Sequence, residues 1–201
     1  MFTVVAALGC TRPDDRPPPP AATTDTLVYA APDTAGVQVP PDLSAFCRPG
    51  IAQLRPSSSP HPAADAAGSV VSVTTIFKDS KEGVGQPVRC VVRRPEEWTP
   101  LWAALTRTFV SSQPSPPVEF GTRMVLVAGM GIRPSTGFSI GIESVHRTDD
   151  GLDATVVHYL PGGCEVGLAE TEPVHVVAVP RHDGPVRFIE KIRYTPSDCT
   201  E

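Results

Sequence analysis

The stretch Val125-Leu-Val-Ala-Gly-Met-Gly-Ile-Arg-Pro-Ser-Thr-Gly-Phe-Ser-Ile-Gly-Ile-Glu-Ser-Val145 decides how the chain folds. Val125 to Met130 is apolar and β-prone. Phe138, Ile140 and Ile142 fall on one face of a second run, because side chains alternate along a strand. Between the two runs, Pro134 fixes one φ, and Gly131 and Gly137 are free to take positive φ. The pattern predicts strand, tight turn, strand: a stiff β-hairpin with Arg133 exposed near its tip.

Working outward, the flanking segments repeat the same grammar. Ser69 to Lys78 alternates, with Val71, Val73, Thr75 and Phe77 on one face. Val88 to Arg94 puts Arg89, Val91 and Arg93 on one side and Val88, Cys90 and Val92 on the other. Pro95 then opens a helix, where its missing N–H costs nothing, and Glu96 and Glu97 suit the positive end of the helix dipole. Trp98, Leu101, Trp102 and Leu105 follow helical spacing, a stripe that reads as core capping the open face of a sheet, with a partner-binding helix as the sharper alternative. Further strands are expected at Leu152 to Leu160, Val174 to Val179 and Val186 to Tyr194. They are separated by turn chemistry at Asp149-Asp-Gly151, Pro161-Gly-Gly163 and Asp183-Gly-Pro185. Six or seven strands with short connections predict a mostly β (α+β) domain, an antiparallel sandwich or half-barrel with one covering helix.

The first third is different. Twelve of the 24 prolines lie before residue 67, in a region poor in aromatics. Met1 to Cys10 reads as the end of a lipoprotein leader, with Ala7-Leu8-Gly9-Cys10 resembling a lipobox and Cys10 as the lipidated residue. No Lys or Arg precedes its apolar stretch, as if the leader were truncated. Pro17 to Pro20 favours an extended polyproline spacer. The expected organisation is a leader over 1–10, a Pro-rich and largely irregular linker over 11–66, a β domain over 67–195 and a tail over 196–201. It implies a bacterial cell-envelope protein, in the periplasm or on the outer surface, that meets the membrane through a lipid anchor only.

Charge and motifs narrow the function. A net charge of -5 with interleaved signs argues against a nucleic-acid partner, which would need a basic stripe. Gly131 to Gly137 has no Lys after its second Gly and no helix following, so it is not a phosphate loop, and Arg133 two positions before Ser135 rules out a nucleophile elbow. The five histidines show no HExxH spacing and no Cys-x-x-Cys pair accompanies them, so no metal and no cofactor is expected. With Cys10 lipidated, Cys47, Cys90, Cys164 and Cys199 form an even set for disulfides in an exported chain. Four cysteines allow three pairings; Cys90 with Cys164 and Cys47 with Cys199 is the expected one, and Phe46-Cys47 is expected to dock on the domain. A Cys164 thiol working with His158 or His175 is the catalytic alternative, and it lacks an orienting group in sequence. No catalytic residue is assigned.

Trp98 and Trp102, Val118-Glu-Phe120, Met124-Val-Leu-Val127, Gly131-Ile-Arg-Pro-Ser-Thr-Gly-Phe-Ser-Ile140, Pro161-Gly-Gly-Cys164, Thr171 to Pro180 and Val186-Arg-Phe188 together resemble the PrcB-like C-terminal domain. That is a family of bacterial protease-complex accessory lipoproteins. The Gly-x-Arg-Pro-x-x-Gly-aromatic segment is the most specific part, with Phe138 where the family pattern carries Tyr. The resemblance implies a non-catalytic protein that stabilises or helps assemble an exported protease, with no active-site residues to transfer. The resulting expectation is an envelope-anchored binding or assembly module whose protein partner meets a recognition hairpin at Gly131, Arg133, Pro134, Gly137 and Phe138. A protease inhibitor-like or carbohydrate-binding β domain is the alternative.

Overall fold

The computed structural model describes residues 28–29, 34–51, 68–107, 113–163 and 165–195. Within them run β1 (Val28–Tyr29), β2 (Cys47–Pro49), β3 (Ser69–Val71), β4 (Thr74–Asp79), β5 (Pro87–Val92), α1 (Pro95–Leu105), β6 (Arg123–Met130), β7 (Ser139–Thr148), β8 (Gly151–Leu160), β9 (Val174–Pro180) and β10 (Val186–Tyr194). The strands form two five-stranded sheets, ordered β1-β10-β8-β7-β3 and β2-β5-β6-β9-β4. The mostly β sandwich with one helix read from the sequence is therefore the observed architecture.

Three layers follow from strand alternation. On β6, Met124, Leu126, Ala128 and Met130 face the first sheet and meet Ile140, Ile142, Val145, Leu152, Ala154 and Val156. The intervening Val125 and Val127 face the other way, onto Trp98, Leu101, Trp102 and Leu105 of α1. The second sheet is thus buried on both faces, which is why β6 and β9 read as nearly continuous apolar runs. Each fully buried Leu or Val side chain contributes about 1.5–3 kcal/mol. Both indoles keep a polar handle satisfied: Trp98 Nε1 donates to Pro116 O at 3.0 Å and Trp102 Nε1 to Gln113 O at 2.9 Å. The tryptophan stripe is core.

The central stretch departs from its expected form. β6 lies between β5 and β9, and β7 between β8 and β3, so the two strands belong to different sheets and do not form a hairpin. Residues 131–138 cross from one sheet to the other. A hairpin closes with about two to five residues; eight residues with both edges of β6 already paired make a crossing instead. The chain also changes sheet between β3 and β4, between β8 and β9, and between β9 and β10. Because β9 lies in the opposite sheet, β10 returns beside β8 running parallel to it, the one parallel pair of an otherwise antiparallel arrangement among the described strands. Asp149 and Asp150 do form the expected two-residue turn, with Thr148 opposite Gly151.

Two short strands of the N-terminal third join the sheets: β1 pairs with β10, and β2 with β5. Leu43 and Ile51 are buried beside them. Cys47 lies opposite Cys90 in the β2–β5 register, and the two form a disulfide. This corrects the expected pairing of Cys90 with Cys164 and Cys47 with Cys199, since direct cross-strand neighbours claim each other first. Cys47 docks on the domain as anticipated. Cys164 and Cys199, like Cys10, lie outside the described residues.

Candidate interaction site

The crossing at residues 131–138 is a braced loop. Gly131 adopts φ 71° and Gly137 φ 87°, the left-handed values that their lack of a side chain permits. A Cβ on Gly131 would lie 2.7 Å from Pro87 Cδ, and one on Gly137 2.8 Å from Val166 Cγ1. The loop is tied to the segment leading into β9. Arg133 N donates to Thr171 O at 2.7 Å and Thr171 N to Arg133 O at 3.0 Å, an isolated antiparallel bridge. Thr136 N donates to Gly167 O at 2.9 Å, Gly167 N to Thr136 Oγ1 at 2.7 Å, and Thr171 Oγ1 to Ser135 O at 2.9 Å. Five hydrogen bonds over so short a span hold the backbone in one shape.

Arg133 was expected to be presented outward; it is half-buried and folds back so that Nη2 donates to Met130 O. Burial lowers its pKa, and the nearby Arg89 charge lowers it further. Phe138 packs against the core between the sheets. Pro134 is exposed, and the large apolar side chains left in solvent here are Ile132, 51% exposed, and Leu168, 92% exposed. Neither was singled out in sequence, because a lone aliphatic residue next to glycine carries no signal until its burial is known.

A second group of side chains clamps the sheets together. Arg89 on β5 is buried and reaches across to Glu190 on β10, with Nε donating to Oε1 at 2.7 Å and Nη2 to Oε2 at 2.8 Å. Its Nη1 donates to Val88 O at 2.7 Å and Gly129 O at 2.8 Å. Burial pushes the Glu190 carboxyl up, but the Arg89 charge and the hydrogen bonds from His158 and Arg89 outweigh it and hold it down at about 2. His158 Nε2 lies 2.7 Å from Glu190 Oε2, and burial pushes the ring's pKa down against the pull of that carboxylate. The neutral ring with its proton on Nε2 donates to Glu190. Alternation placed Arg89 on a shared face with Val91 and Arg93, yet a strand between two layers has no solvent face, so a charge there implied a buried partner on another strand.

His175 makes the matching tie on β9. Its Nδ1 accepts from Ile142 N at 2.8 Å, which puts the proton on Nε2, 3.0 Å from Thr75 Oγ1. Burial, then the nearby Lys78 charge, lowers its pKa to about 4. Ile142 sits where the β7 register shifts against β8, so the ring satisfies a backbone donor freed by that irregularity. Both histidines invoked for thiol chemistry are thus engaged between sheets. Among the described residues, no group of three His, Cys, Asp or Glu side chains could hold a metal ion.

The family model described as PrcB C-terminal matches residues 124–180. Over those residues the chain is similar to the PrcB-like C-terminal domain. The PrcB-like segment spans β6 to β9, both crossings that brace one another, and the β7–β8 turn. It leaves out α1, β5 and β10, so the sandwich is completed by strands and a helix beyond the matched residues. No curated protein and no solved structure matches the chain.

Proposed function

We propose that this protein is a non-catalytic, envelope-anchored binding or assembly module that stabilises an exported protease or another envelope complex. The observation that carries the reading is the braced crossing. It lies wholly within the PrcB-like segment, and its five hydrogen bonds fix a backbone that exposes Ile132 and Leu168. A pre-shaped loop with apolar tips loses little entropy on docking, so its contact area is converted efficiently into affinity. The lipid at Cys10 and the polyproline spacer would hold the module at the membrane surface. An inhibitor-like reading would use Arg133 as an outward contact, and its inward hydrogen bond to Met130 O favours assembly instead.

The test is mild crosslinking and co-purification from envelope extracts, read as co-purified protease activity. The native chain is expected to recover a defined exported protease, and Ile132→Asp with Leu168→Asp is expected to lose it while melting at the same temperature. Recovery of no partner by the native chain would remove the reading. Undiminished recovery by the double variant would move the contact surface elsewhere.

A further inference from the structure

A cleft of about 520 Å³ opens where β2, the start of α1 and the β9–β10 crossing meet. Five guanidinium groups line it, those of Arg48, Arg89, Arg93, Arg94 and Arg181. Three carboxylates answer them: Glu190 takes Arg89, Glu97 takes Arg94, and Asp183 takes Arg181. Arg93 and Arg48 have only carbonyl acceptors among the described residues. Arg93 Nε donates to His182 O at 3.0 Å and its Nη2 to Gly184 O at 2.7 Å. Arg48 Nη2 reaches Val186 O at 3.5 Å, and its guanidinium lies 5.1 Å from the centre of the Phe188 ring. The cleft therefore carries two positive charges in surplus, on a chain whose net charge is -5.

Several features suit this cleft to an organic anion. The two carbonyls fix the Arg93 fork, so little side-chain freedom is lost when an oxyanion arrives. Burial lowers the Arg48 pKa, with Glu190 pulling it back up and Arg89 pushing it further down. Phe46, Val91 and Val186 supply apolar wall beside the cations. The volume far exceeds the ~30 Å³ of a water and falls among the roughly 300–1,000 Å³ of organic ligand sites. A bare inorganic ion would leave most of it unfilled, whereas a carboxylate on an aliphatic stem matches both the charge and the wall.

We infer that this cleft receives an Asp or Glu carboxylate from an acidic segment of a protein partner, bound by Arg48 and Arg93 with its stem against Phe46 and Val186. All of the lining residues fall outside residues 124–180, so the site is independent of the PrcB-like segment and of the contacts at Ile132 and Leu168. The backbone of β2 is not itself a pairing edge: Cys47 N already donates to Leu43 O, and Pro49 has no N–H. Recognition here is through side chains.

The experiment is an NMR titration of the full ¹⁵N-labelled chain, observing the arginine Nε–H signals. The probes are a blocked Glu-rich hexapeptide, its Gln counterpart, citrate and inorganic phosphate. The Glu peptide is expected to give saturable shifts at Arg48 and Arg93 that the Gln peptide does not. Arg48→Gln, which removes one long hydrogen bond and the contact with the Phe188 ring, is expected to move the urea midpoint little and to weaken the peptide by about tenfold or more. Arg93→Lys, which keeps the charge and loses the fork, is expected to weaken it as well. Absence of saturable shifts with the Glu peptide, equal affinity in Arg48→Gln, or saturation by citrate or phosphate without the peptide would each overturn the inference. None of these results bears on capture through Ile132 and Leu168, so the two readings fail separately.

Discussion

At Gly131 the backbone takes φ 71°, and a methyl group there would collide with Pro87 on the neighbouring strand. Gly131→Ala therefore pays twice, for the left-handed conformation and for displacing β5. A loss of about 1–3 kcal/mol is expected from the conformation alone, read as a lower urea midpoint. The buried ionisable residues make the molecule acid-sensitive in two stages. His175 has a folded pKa of about 4, below its ordinary 6.5, so its contribution is complete above pH 6.5 and is lost as pH falls toward 4. Glu190, held at about 2 against 4.5, contributes fully above pH 4.5 and is lost as pH falls toward 2. Stability measured against pH should show both declines, and His175→Gln should shrink the first, which the lowered His158 shares, while leaving the second. The two glycines were legible in the sequence because positive φ has one cheap solution. The Arg89–Glu190–His158 cluster was not, because its members lie 32 to 101 residues apart and meet only when two sheets close.

Among the elements, α1 was read almost whole. Pro95 starts it, its apolar stripe is buried, and Leu101 and Leu105 are fully enclosed against the second sheet. Leu101→Ala should cost about 2–5 kcal/mol, the usual range for a cavity in a closed core, seen as a drop in melting temperature with native far-UV dichroism. Strand positions were also legible, since β9 and β10 coincide with the apolar runs that named them. Their partners were not. A turn-rich segment with two left-handed glycines can fold a strand back on itself or carry it across to a facing sheet, and local residues look alike in both cases. Length and the occupancy of both edges of β6 decided for the crossing. The run Ser69 to Lys78 shows the same ambiguity: its even alternation hides a change of sheet after Val71 and a register shift between Thr75 and Phe77.

For the whole molecule, the disulfide fastens the N-terminal third to the sandwich. Cys47 and Cys90 are 43 residues apart in sequence. By the chain-entropy account, closing a loop of that size stabilises by about 4 kcal/mol. Replacing both with Ala should lower the melting temperature under oxidising conditions, and added reductant should affect the native chain but not the variant. Had the expected link from Cys47 to Cys199 formed, removing residues 196–201 would produce the same loss; with Cys47 held by Cys90, it should not.

Taken in order, the described strands change sheet six times. A molecule laced in this way cannot come apart layer by layer, because each layer is sewn from both ends of the sequence. Leu168, the most exposed large apolar side chain among the described residues, sits on one of these stitches. If a protease cut there, the piece ending at the nick would supply β1 to β8 and the other β9 and β10, each contributing strands needed by the other's sheets. The expected outcome is two bands on a denaturing gel and one undisturbed peak by gel filtration. The nicked chain would then keep its fold, and two peaks after nicking would show that it does not.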